Sequence, residues 1–86
     1  MPAAWHVYIV RCADGTLYTG ITTDVAARIA AHNRGSGAKY TRSRAPVELV
    51  YQEPAPDRAA AQRRELEIKR LGRHAKRVLA NELGAE

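Results

Sequence analysis

The stretch HVYIVRCADGTLYTG, residues 6–20, decides the fold. Two runs rich in β-branched and aromatic residues flank Ala13-Asp14-Gly15, which is turn chemistry, so a β-hairpin is expected over 5–12 and 16–22. Its register sets the fate of two tyrosines, Tyr8 and Tyr18. A two-residue Asp14-Gly15 turn pairs positions summing to 29 and sends the phenols to opposite faces. A three-residue loop, Ala13-Asp14-Gly15, pairs positions summing to 28 and sets Tyr8 opposite Gly20 and Tyr18 opposite Val10, with both rings on one face. The three-residue loop is expected, because Gly15 suits the left-handed position that follows a type I turn in a bulged hairpin.

Outward from the hairpin, Thr23 or Asp24 can cap a helix over 24–34 that ends near Gly35. Residues 35–45, GSGAKYTRSRA, read as a polar loop. Pro46 opens a third strand over 47–53, in which Val47, Leu49 and Tyr51 alternate with Glu48, Val50 and Gln52, and Pro54 and Pro56 are expected to stop it. Asp57 caps a helix over 58–71, and Gly72 separates it from a last helix over 74–83, whose Val78, Leu79 and Leu83 are expected to close the core. The order ββαβαα gives an α+β fold, a small three-stranded antiparallel sheet flanked by helices. No repeat or linker divides the chain, which reads as one domain over 1–86.

The 86 residues carry 14 Lys+Arg against 9 Asp+Glu, a net charge of +5. That excess favours a polyanionic partner such as nucleic acid, because a basic face releases counterions from phosphates. Cys12 is the only cysteine, so it has no disulfide partner within the chain and is expected to pack. His6 and Arg11 interrupt the apolar run after Trp5, and no segment approaches the roughly 20 apolar residues of a membrane span. A soluble, cytoplasmic protein without membrane contact is expected. Phosphate-cradling Gly-Lys-Ser/Thr loops, HExxH helices and Gly-x-Ser-x-Gly elbows are all missing from the sequence.

Four features carry chemistry. Arg28 and His32 lie four apart on one helix face, where an arginine fork matches two phosphate oxygens and a histidine can hold or relay a proton. In DRAAAQRRELEIKRLG, residues 57–72, Ala61, Glu65 and Ile68 share one side of the helix. A carboxylate on that inward stripe needs a partner, either a nearby arginine in a structural salt bridge or a metal ion. Mg²⁺ often takes only one or two carboxylates together with phosphate and water. Lys39, Tyr40, Arg42 and Arg44 mix cations with an aromatic ring, a pattern that can track a nucleic-acid backbone and stack on an unpaired base. Lys69, Arg70, Arg73, Lys76 and Arg77 extend the basic character toward the C-terminus, first as a solvated face and second as a DNA contact.

Taken together, these residues resemble the GIY-YIG nuclease domain. Its two signature tripeptides stand here as His6-Val7-Tyr8 and Tyr18-Thr19-Gly20, followed by GITTDVAARIAAHN with Arg28 and His32. The RRELEIKRL segment resembles the family's metal-binding helix and maps its glutamate to Glu65. The match is best with the small stand-alone bacterial branch, UPF0213-like, through VYI-x-RC-x-DG-x-LYTGIT and the GAKYT loop, and covers about residues 5–71. Gly and Ile of the first tripeptide are replaced by His6 and Val7, and Ile of the second by Thr19.

The resemblance implies an endonuclease that hydrolyses DNA phosphodiesters, DNA in preference to RNA, with one Mg²⁺ or Mn²⁺ on Glu65. It implies a tyrosine general base, Tyr8 by choice and Tyr18 otherwise, with Arg28 on the phosphate and His32 beside the base. Gly20, Lys39, Tyr40 and Arg42 would contact the nucleic acid. The alternative is a non-catalytic nucleic-acid-binding module on the same scaffold. Substrate structure, sequence preference and oligomeric state are not legible.

Overall fold

The computed structural model describes residues 4–84. Strand β1 (Trp5–Arg11) turns into β2 (Leu17–Thr22), followed by helix α1 (Val25–Asn33), a short helix α2 (Lys39–Arg42), strand β3 (Glu48–Ala55), and helices α3 (Arg58–Lys69) and α4 (Arg73–Gly84). The sheet is antiparallel, in the order β2-β1-β3.

The hairpin has the three-residue loop. Tyr8 pairs with Gly20 and Val10 with Tyr18. Gly15 N–H donates to Cys12 O at 2.9 Å, Cys12 N–H donates to Thr16 O at 2.8 Å, and Gly15 sits at φ +86°. Asp14 accepts from Thr16 N at 3.1 Å and Thr16 Oγ1 at 2.6 Å, which ties the turn to the start of β2.

Alternation then splits β1 between two layers. Val7 and Ile9 face α3, where they bury with Ala61 and Ile68, and Leu79 of α4 packs against them. Tyr8, Val10 and Cys12 bury on the other face with Val47, Tyr18, Leu49 and Ile29 of α1. Burying each of the larger aliphatic chains contributes about 1.5–3 kcal/mol. Cys12 packs as expected.

Several elements depart from the sequence reading. The loop 35–45 contains one helical turn, α2, so the order gains a short helix between α1 and β3. Strand β3 runs through Pro54 to Ala55 rather than stopping before it. As a sheet edge, β3 leaves one row of its N–H groups unpaired, so a residue without an N–H is tolerated. Its alternation also breaks. Ile9 pairs with Tyr51 but Val10 pairs with Leu49, so a bulge absorbs Val50. Val47 and Leu49 therefore join the Tyr8 layer, while Tyr51 packs in the opposite one. Val78 is 44% exposed rather than core, Leu79 packs inward, and the side chain of Leu83 lies outside the described residues. No helix among the described residues is long and apolar enough to cross a membrane.

Candidate active site

Asp24 caps α1 by accepting from Ala27 N at 3.0 Å, which fixes the start of the helix next to the end of β2. At its other end, Asn33 clamps α1 to the start of β3: its Oδ1 accepts from Val47 N at 2.7 Å and its Nδ2 donates to Val47 O at 3.3 Å. Held at both ends, the helix presents Arg28 and His32 to the Tyr8 face of the sheet.

The Tyr8 hydroxyl lies 2.8 Å from His32 Nε2, and both residues are buried. His32 Nδ1 lies 2.7 Å from Thr41 Oγ1, and that hydroxyl donates its one proton to Ala38 O at 3.0 Å. The direction of the chain follows. Having spent its proton on Ala38, Thr41 can only accept from His32, so Nδ1 carries the imidazole proton and Nε2 is the bare acceptor for Tyr8 O–H. Arg28 Nε makes a long 3.4 Å donation to the same phenol oxygen.

Burial and charge set the ionisation of this pair. Burial pushes the Tyr8 phenol above its ordinary 10.0, partly offset by Arg28, with smaller upward pushes from Tyr18 and Glu65. Burial, then the Arg28 charge, holds His32 below its ordinary 6.5. His32 is thus a neutral acceptor at physiological pH. A stability signature follows. The unfolded chain takes up the His32 proton before the folded one, so this contribution is complete above about pH 6.5 and is lost as pH falls below that value. Urea midpoints measured from pH 7.5 to 5 are expected to fall more steeply for the native chain than for His32→Gln.

Two glycines make room for the two rings. A Cβ added to Gly20 would stand 2.5 Å from the Tyr8 hydroxyl, and one added to Gly37 would collide with His32 Nδ1. The Tyr8 ring fills the space that the missing side chain of Gly20 leaves.

Tyr18 meets His32 edge-on, with centroids 5.5 Å apart, and stacks on Tyr40 at 5.8 Å. Arg44 covers the Tyr40 ring at 4.0 Å and reaches Asp14 at 3.0 Å, pinning α2 against the hairpin turn. Lys39 and Arg42 are exposed on α2. Glu65 lies on α3 between buried Ala61 and Ile68 and is paired with Lys69 at 3.1 Å, rather than with an arginine. Lys69 Nζ stands 5.9 Å above the Tyr18 ring. Tyr8, Tyr18, Arg28 and His32 therefore gather on one face, and Glu65 is tied to them through Lys69, which stands over Tyr18. Sequence reasoning missed Thr41, Gly37 and Asn33, although the first two stand in the GAKYT segment it singled out.

A model of the GIY-YIG catalytic domain matches residues 4–78. The chain belongs to the GIY-YIG catalytic domain family. Within it, the chain is similar to UPF0213 proteins. It is 61% identical over 77 residues to one from Desulfotalea psychrophila, covering 88% of this chain and 70% of that protein. It is 54% identical over 85 residues to one from Natronomonas pharaonis, covering 98% of this chain and 100% of the relative. The solution NMR structure of a UPF0213 protein from Bacillus halodurans superposes with a TM-score of 0.61 at 46% identity, covering 95% of this chain and 87% of the other. The matched span contains Tyr8, Tyr18 and Gly20, two phenols on a common face and a glycine that leaves space for the first.

Proposed function

We propose that this GIY-YIG domain is a divalent-metal-dependent endonuclease that hydrolyses DNA phosphodiesters. The observation that carries the reading is the directed chain from Tyr8 through His32 and Thr41 to Ala38 O, with Arg28 against the same phenol. A phenol alone is a poor base in water at neutral pH. Here Tyr8 passes its proton to His32 Nε2 as it takes one from the attacking water. Burial raises the phenol and lowers the imidazole, so transfer to His32 ahead of the reaction is uphill, and the phenol gives up its proton as it takes one from the water. Arg28 offsets the charge growing on the non-bridging oxygens, and Tyr18 positions the water or the phosphate. Lys39, Tyr40 and Arg42 grip the strand.

Among the described residues no three His, Cys, Asp or Glu side chains form a metal cage. Glu65 offers one half-buried carboxylate with a single lysine partner, a donor set that suits an ion completed by phosphate and water. One Mg²⁺ or Mn²⁺ held there would supply Lewis-acid polarisation of the phosphate and of the leaving oxygen.

The test is an assay of purified protein on labelled single-stranded, duplex and branched DNA, with Mg²⁺, Mn²⁺ or a chelator. Cleavage is expected only with metal. Glu65→Gln is expected to raise the metal concentration for half-maximal rate about tenfold or more, as loss of a coordinating charge does. Tight binding without cleavage would assign the chain to the non-catalytic alternative.

A further inference from the structure

A second feature lies beside the catalytic cluster. The hairpin turn, Tyr40 of α2 and the first turns of α4 enclose a cleft of about 380 Å³, at the small end of the roughly 300–1,000 Å³ range of ligand sites. Its wall on α4 is made by Arg73, Lys76 and Arg77. None of these three forms an ion pair among the described residues. The one carboxylate on the wall, Asp14, is turned into its own loop by Thr16 and bound by Arg44, so it leaves the three cations unneutralised. Tyr40 is 38% exposed here, while its ring also stacks on Tyr18, which touches His32. The cleft and the catalytic cluster therefore share one aromatic wall.

We infer that this cleft seats one unpaired nucleotide of the substrate strand next to the scissile phosphate. Its phosphate lies against Arg73, Lys76 and Arg77, and its base against Tyr40. The inference rests on the nucleic-acid reading of the neighbouring site and names its substrate class: single-stranded or frayed nucleic acid. Three cations on one wall match a phosphate, and the exposed edge of Tyr40, whose ring is stacked on Tyr18 and covered by Arg44, gives a base of any identity an aromatic edge to pack against. A base held in a duplex cannot enter a cleft of this size without leaving its stack.

The experiment is fluorescence anisotropy in a chelator with a labelled twelve-nucleotide single strand and the same sequence as duplex, so that cleavage plays no part. The native chain is expected to bind the single strand more tightly. The variant R73Q/R77Q is expected to bind it about tenfold more weakly and to lower the salt slope by about 0.7, the one phosphate contact made in the cleft on a single strand. The control R58Q/R63Q removes the same two charges from α3; Arg58 stands by Trp5, at the opposite end of β1 from the hairpin turn, and a smaller loss is expected. Tyr40→Ala is expected to weaken single-strand binding about fivefold or more while sparing the duplex. Equal losses in R73Q/R77Q and R58Q/R63Q, or duplex binding as tight as single-strand binding, would overturn the inference and leave the nuclease reading intact. Preserved cleft behaviour with no cleavage in metal would do the reverse. Melting curves confirm that each variant is folded, and the exposed arginines keep the test valid if Tyr40→Ala is not.

Discussion

Tyr8→Phe is expected to lower the single-turnover cleavage rate by about 10²–10⁴-fold, the range that a positioned general base contributes. The substitution removes one oxygen and leaves the ring, so the hairpin packing of Val10, Cys12 and Val47 around it persists. It also leaves His32 Nε2 buried with no donor, which costs about 1–3 kcal/mol of stability. The expected signature is therefore a modest fall in melting temperature with a large fall in rate. Tyr18→Phe is the matched control. Its hydroxyl takes no part in the chain from Tyr8 to Ala38, so its removal leaves the tautomer of His32 fixed and is expected to cost less rate. A Tyr8→Phe enzyme at full rate would remove Tyr8 as the base and pass the role to Tyr18.

How much of this site could be read from the sequence depended on the range of the interaction. The hairpin register follows from one residue, Gly15, whose left-handed backbone is a local requirement. The pairing of Arg28 with His32 follows from helix periodicity, and Glu65 from its place between Ala61 and Ile68. Thr41 shows the limit. It lies in a polar segment nine residues from His32, and nothing in its neighbours marks it as buried; only the return of α2 onto α1 turns it into the acceptor that fixes the tautomer. The break in β3 has the same origin. The alternation of Val47, Leu49 and Tyr51 is intact in sequence, and the bulge at Val50 arises from how β3 meets β1. Local chemistry thus located the phenols, whereas the hydrogen-bond chain from Tyr8 to the Ala38 carbonyl depended on tertiary contacts.

Gly20→Ala is expected to damage activity more than its single methyl suggests, lowering the rate about 10²-fold and stability by about 1–3 kcal/mol. The added carbon would lie 2.5 Å from the Tyr8 hydroxyl and 2.7 Å from Cζ. Tyr8 is 1% exposed and its hydroxyl is held by His32, so the ring can escape only by breaking that bond. The backbone itself offers no objection, since Gly20 does not lie at positive φ. Gly15→Ala separates the two causes: it meets open space but a φ of +86°, so it is expected to lower stability by backbone strain without moving the phenol. Loss of rate in Gly20→Ala with the rate of Gly15→Ala preserved would trace the defect to the position of the Tyr8 oxygen. The double variant G20A/Y8F completes the cycle. If the alanine acts through that oxygen, it adds little to the rate loss of Tyr8→Phe, whereas independent losses would multiply and would show that Gly20 serves the substrate directly.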